Sequence, residues 1–318
     1  MPVSVAMVVT MPNTENTMLC AISARMNAPA IARASALAEL GSRLSPSNIN
    51  LARAGLADPD PMVRIGALDM LEDVPTNQLW PLASPLLSDP SRGVRIRAAS
   101  LLAAVLPSSQ PAGERERFDR AASEFIAAQR FNADRPEARS TLGSFLAQRG
   151  RTSEAEAEYK AALRLSPQFT PAAVNLADLY RQLGRDAEGE TVLRAAITTS
   201  PQDATLHYAL GLTLTRLKQA AAALTEFSRA AELEPSRVRY AYVYAVALHS
   251  AGRGNEAMSA LKESLAKHPN DRDTMMALIS FSREAGDIGG ALEYAERLAR
   301  IFPDDQGLAR LIQELRRK

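Results

Sequence analysis

A single cysteine, Cys20, excludes an internal disulfide framework and any cluster of thiolate metal ligands. No CxxCH occurs, because Ala21, Ile22 and Ser23 follow that cysteine, so covalent haem attachment has no sequence basis. Cys20 also has no basic neighbour before Arg25, which argues against a nucleophile. The three histidines, His207, His249 and His268, are too far apart for a local metal motif, so no metal and no cofactor is expected. Charge of one sign is missing too: Lys+Arg of 37 against Asp+Glu of 36 leaves a formal net charge of +1, and no global field draws the chain to nucleic acid or an acidic lipid surface. No run reaches the roughly 18 apolar residues that cross a bilayer, so membrane insertion is not expected.

Aromatics are 5% of the 318 residues and β-branched residues are sparse, whereas 46% of the side chains are hydrophobic and alanine and leucine dominate. These residues lose little on entering a helix, and the composition predicts an all-α protein. The first stretch, MPVSVAMVVTMPNTENTMLC, is apolar from Val3 to Val9 but carries no positive charge before Arg25, so it lacks the basic start of a secretory signal. Residues 1–26 read as a poorly ordered tail and the cytoplasm as the default compartment. Five of the ten methionines fall in these 26 residues, which suggests that the start of the protein lies elsewhere.

Two periods run through the rest. Prolines at Pro167, Pro201, Pro235, Pro269 and Pro303 are each 34 residues apart. Gly150, Gly184, Gly252 and Gly286 keep the same beat, with Lys218 in the third slot. A third series, Ala155, Gly189, Ala223, Ala257 and Ala291, is small throughout, and a fourth reads Leu142, Leu176, Leu210, Tyr244, Leu278. Upstream, ARASALAEL at Ala32, VRIGALDML at Val63 and VRIRAASLL at Val94 recur every 31 residues. Each of their arginines follows an Asn or Asp by six residues: Asn27 and Arg33, Asp58 and Arg64, Asp89 and Arg95.

The 34-residue units resemble the tetratricopeptide repeat family, most clearly over PEARSTLGSFLAQRGRTSEAEAEYKAALRLSPQF, Pro136 to Phe169. Small residues at Gly143, Ala177, Gly211 and Ala245 let paired helices approach, Tyr159 and Phe227 fill the space between, and proline ends each second helix. Early in the first helix, where the family has a bulky aromatic, this chain has Arg139, Ala173, His207, Ala241 and Met275. The 31-residue units are similar to HEAT repeats, in which the acid is expected to cap a helix while the arginine bridges to a neighbouring acid. The expected architecture is a right-handed α-solenoid of HEAT-like helix pairs continuing into tetratricopeptide pairs. Its parts are a tail at 1–26, HEAT-like repeats at 27–110, a junction and half repeat at 111–135, five repeats at 136–305 and a capping helix at 306–318.

The stretch RYAYVYAVALHSAGR, Arg239 to Arg253, spaces Tyr240, Tyr242 and Tyr244 by two, as a strand would. The repeat overrules this. In a helix Tyr240, Tyr244 and Leu248 face the core and Tyr242, Val246 and His249 face the other way. In the family that second face lines a concave groove, and the resemblance carries over to Ser140, Ser144 and Ala147; Val174, Asp178 and Arg181; Tyr208, Leu212 and Thr215; Tyr242, Val246 and His249; and Met276, Ser280 and Arg283. The groove then has an apolar, aromatic centre at Tyr208, Leu212, Tyr242 and Val246, a surface suited to apolar side chains of a protein or peptide partner or to self-association. Its charges, Glu137, Asp178, Asp273 and Glu284 against Arg181, Arg216, Arg239 and Arg283, balance, which does not suit phosphate tracking. Ser140, Ser144, Thr205 and Ala209 stand where the family's carboxylate clamp has basic or amide side chains; only Asn175 matches.

The leading expectation is therefore a non-enzymatic scaffold that binds a partner segment in the groove. EFIAAQRFNADRPEA and HPNDRD also look like the C-terminal repeat region of exported multihaem cytochrome c proteins, which would make the chain the docking tail of a periplasmic electron-transfer protein. A bilin-lyase-like enzyme ranks last, since the repeat pattern alone suggests it.

Overall fold

The computed structural model describes residues 14–25, 27–41, 48–111 and 113–317. The apolar segment Val3–Val9 lies outside them. Among the described residues the protein is all helical, with no strand, so the expected class holds. It forms two compact units, Met1–Glu158 and Tyr159–Lys318, a division that falls inside a helix.

The first unit contains α1 (Thr14–Ala24), α2 (Ala30–Leu40), α3 (Ile49–Leu56), α4 (Pro61–Asp69), α5 (Thr76–Ala83), α6 (Arg92–Leu102), α7 (Arg115–Phe131) and α8 (Pro136–Gln148). Residues 14–24, counted from sequence in an unstructured tail, are the helix α1, because its side packs against α2 and α3 and so gains burial that the stretch alone lacks. α2, α4 and α6 lie side by side, and the buried arginines staple them. Arg33 reaches Asp58 at the start of α4. Arg64 Nη2 donates to Asp89 Oδ1 at 2.9 Å, and Arg95 Nη2 donates to Glu124 of α7 at 2.9 Å. Each arginine also holds its own turn: Arg64 Nη1 donates to the Asp58 carbonyl at 2.7 Å and Arg95 Nη1 to the Asp89 carbonyl at 2.7 Å.

The acids do not cap, contrary to expectation. Asp60 is the N-cap of α4, accepting from Met62 N at 2.8 Å, while Asp58 sits two residues earlier and accepts from Asp60 N at 2.9 Å, bracing the turn. Trp80 packs its ring 6.2 Å from Phe118 and its Nε1 donates to Glu114 at 2.5 Å, which ties α5 to α7.

Helix α9 (Thr152–Leu165) carries the division. The second unit continues with α10 (Thr170–Gln182), α11 (Asp186–Thr199), α12 (Ala204–Arg216), α13 (Ala220–Leu233), α14 (Val238–Ser250), α15 (Gly254–Lys267), α16 (Arg272–Glu284), α17 (Ile288–Ile301) and α18 (Gln306–Arg316). They are antiparallel pairs, α10 with α11, α12 with α13, α14 with α15 and α16 with α17. Each periodic proline follows its second helix by two residues, where it cannot continue the helix. α18 lays Leu308 and Leu315 on the core made by α14 to α17.

The turn within each pair explains the glycine beat. Gly184, Gly252 and Gly286 have φ of 70°, 76° and 77°, and the next residue closes a bond back to the helix, as from Arg253 N to Leu248 O at 2.9 Å. Lys218 adopts the same left-handed conformation at φ 60°, with Gln219 N bonded to Leu214 O at 2.9 Å. A side chain there costs about 1 kcal/mol that glycine does not. Lys218→Gly is expected to raise the thermal midpoint; an unchanged or lower midpoint would show that the gain in unfolded-chain freedom cancels the relief of strain.

Gly211 answers a different need. A Cβ there would lie 2.6 Å from the Phe227 ring, so the α12–α13 pair closes only over a bare Cα. Gly211→Ala is expected to destabilise by about 1–3 kcal/mol, read from the urea midpoint.

Candidate functional site

The face proposed from sequence lies on α10, α12, α14 and α16. Its apolar centre is a cavity of about 250 Å³ bounded by Leu212 on α12, Phe227 on α13 and Val243, Val246 and Ala247 on α14. Leu212 and Val246 are thus brought together, as the spacing suggested. Val246 is 36% exposed and Met276, farther along on α16, is 39% exposed. The other cavity walls, Val243, Ala247 and Ala220, were not anticipated. The available signal was the run Ala220 to Ala223 at the start of α13, where the first and second repeats carry charged residues such as Glu154 and Asp186 and this one has no side chains long enough to fill the space.

The aromatic residues behave differently from one another. Tyr208 is half-buried, its ring 4.9 Å from Tyr240 and 6.1 Å from Phe227, so much of it belongs to the packing between α12, α13 and α14. Only its hydroxyl end reaches outward, where Oη accepts from Arg239 Nε at 3.2 Å. Tyr242 is half-buried against the core of the fourth and fifth repeats. Tyr240 and Leu248 are core as expected, whereas Tyr244 is only partly covered. His249, placed by the spacing on the groove face, is stacked on Phe281 at 3.8 Å and 10°, with Nε2 3.3 Å from Glu284.

Most of the charges are engaged on the protein itself. Arg181 Nε donates to Asp178 at 2.6 Å and Gln182 to the same carboxylate at 2.8 Å. Burial works to raise the Asp178 pKa, but these bonds and nearby Arg216 outweigh it and hold the carboxyl below its ordinary range. Arg216 Nε donates to Asp186 at 2.7 Å. Arg239 differs: among the described residues no carboxylate lies in ion-pair contact with it, and the phenol of Tyr208 is its hydrogen-bond partner. Val174 is half-buried beside the α10–α13 core, and Arg283 is exposed. In the first repeat Ser140 is buried and so does not line a groove.

Two sequence models of the tetratricopeptide repeat match the chain, one over residues 146–213 and 248–315, the other over 112–168 and 208–272. Together they run without a gap from 112 to 315. The chain carries tetratricopeptide repeats. Among solved structures it is similar to YrrB, described as a tetratricopeptide protein with an unusual peptide-binding site, at 22% identity over 60% of this chain and 97% of that one, TM-score 0.46. The MamA protein matches at 18% identity over 52% of this chain and 90% of that one, TM-score 0.45. The Cut9–Hcn1 hetero-tetramer of the APC/C matches at 17% identity over 90% of this chain and 55% of that one, TM-score 0.44. No curated protein sequence matches. Among the described residues no helix is long and apolar enough to cross a membrane.

Proposed function

We propose that this tetratricopeptide protein is a non-enzymatic interaction scaffold whose α12–α14 face holds an extended segment of a partner protein. The observation that carries the reading is the apolar cavity under Leu212 and Val246, with Arg239 two turns before Val246 on α14 and, among the described residues, in ion-pair contact with no carboxylate. An apolar side chain of the partner would enter the cavity. Arg239 lies seven residues before Val246 on α14, about 10 Å along the helix, so an acidic group about three residues away in an extended segment would reach it. Val174, Asp178, Arg181, Tyr208, Arg216, Tyr242, His249, Met276 and Arg283 form the rest of the proposed surface.

The arginine–acid ladder of the first unit supports reading residues 27–110 as HEAT-like repeats, with a structural role. The test is capture of partners by the full chain and by its Val246→Glu variant from the same extract. A protein held by the wild type and lost by the folded variant supports the site; equal capture by both rejects it.

A further inference from the structure

The fourth residue of the first helix, the slot that has lost its aromatic, is used in the same way in two repeats. In the first repeat Arg139 fills it, its Nε donating to the Ala133 carbonyl at 2.9 Å and its Nη1 to Glu158 at 2.8 Å. In the third repeat His207 fills it, with Nε2 3.1 Å from the Pro201 carbonyl and Nδ1 2.6 Å from Glu226. Both ring nitrogens thus face oxygen atoms of the neighbouring turn and helix. A nitrogen-bearing side chain thus bridges the turn carbonyl and an acid of the second helix in both repeats.

The turn carbonyl finds a donor in the second and fifth repeats as well. Pro167 O accepts from Thr199 Oγ1 at 3.2 Å, and Pro269 O from Arg297 Nη2 at 2.7 Å. In the fourth repeat the equivalent carbonyl, that of Pro235, has no donor among the described residues.

There the slot holds Ala241, and the position of Glu158 and Glu226 holds Ala260. Removing both side chains leaves a cavity of about 500 Å³, lined by Pro235, Ala241, Tyr244, Ala260 and Ser264. Ser264 is 4% exposed and its hydroxyl has no partner. On its rim Glu263 accepts from Lys267 at 2.8 Å, and Glu232 accepts from Ser228 at 3.0 Å and lies 3.4 Å from Arg229. The volume is that of a ligand site. Ala241 and Tyr244 lie on the side of α14 opposite Tyr242 and Val246, so the cavity is separate from the proposed partner groove.

We propose that this cavity binds a guanidinium on a short aliphatic stem, the group that Arg139 supplies from within the chain in the first repeat. The stem would lie against Ala241, Ala260 and the Tyr244 ring, and the cation would donate to the Pro235 carbonyl and to a rim carboxylate. The group can arrive on a free arginine-like molecule or as an arginine side chain of a partner.

The experiment is a titration of the full chain with N-acetyl-arginine amide, followed by the backbone amide shifts of residues 235–267, with the neutral citrulline counterpart as the control. Saturable shifts with the arginine compound and none with citrulline are expected. Ala260→Glu restores the acid of the first and third repeats and should tighten binding roughly tenfold; Ala241→Arg fills the slot from inside and should abolish it. Free arginine binding more tightly than the blocked amide assigns the site to a small molecule, and the reverse order to a partner's side chain. An equal response to citrulline, no saturable shift in the wild type, or unchanged binding in folded Ala260→Glu overturns the proposal. Because Ala260 is half-buried at the cavity wall and glutamate is accepted at the same position in the first and third repeats, Ala260→Glu keeps the test valid should Ala241→Arg fail to fold.

Discussion

Arg64→Met is expected to lower the unfolding free energy by about 3–5 kcal/mol, seen as a shift of the urea transition followed by far-ultraviolet circular dichroism. Arg64 is 9% exposed and Asp89 7%, so the pair sits out of water. Nη2 donates to Oδ1 at 2.9 Å; Nε, although 2.8 Å from Oδ2, is not aligned to donate to it. Methionine replaces the aliphatic stem well, so little of the loss comes from packing. The loss comes from the Asp89 carboxylate, left buried with only the Ser91 N–H at 2.8 Å, and from the carbonyls of Asp58 and Pro59, which lose their donor. Adding Asp89→Asn should restore a large part of the loss, because the amide oxygen still accepts from Ser91 and no charge stays buried. A single variant that costs under 1 kcal/mol would mean that the ladder is incidental to the stability of the first unit.

Val246→Glu is expected to weaken capture of the partner roughly thirtyfold, the equivalent of about 2 kcal/mol for a hot-spot position. The substitution places a carboxylate at the mouth of the cavity, where an incoming apolar side chain would have to desolvate it. Val246 is on the exposed side of α14 and glutamate is a good helix former, so the melting curve should stay close to that of the wild type. Ala220→Leu makes the same point without charge, by filling the cavity from α13. If both variants fold and bind as the wild type does, the site is elsewhere. Tyr208→Ala is a poorer probe, since it strips ring contacts from Tyr240 and Phe227 and so mixes stability with binding.

How far the site was legible follows from these same residues. The helical step of four placed Leu212 on α12 and Val246 on α14 on the matching face of successive repeats, because helical periodicity alone decides which side chains share a side. It did not show that Tyr208 turns its ring into the packing, that Phe281 covers His249, or that Asp178 holds Arg181. Those depend on what the neighbouring helix brings opposite. The walls Val243 and Ala247 were missed for the same reason, since a cavity is a property of three helices at once.

The sequence by itself determined the helical class, the 34-residue pairing of helices, the proline and glycine punctuation and even the exceptional Lys218, because each rests on local backbone preference and spacing. It also determined that arginines and acids recur six apart in the first unit. Only the tertiary structure decided that Asp60 rather than Asp58 caps α4, that α1 is a helix, and that Arg139 and His207 bridge to acids while Ala241 leaves a cavity. Propensity and period act within one helix, whereas bridging, burial and empty space arise when residues 19 to 30 apart in the chain are brought to within a few ångströms.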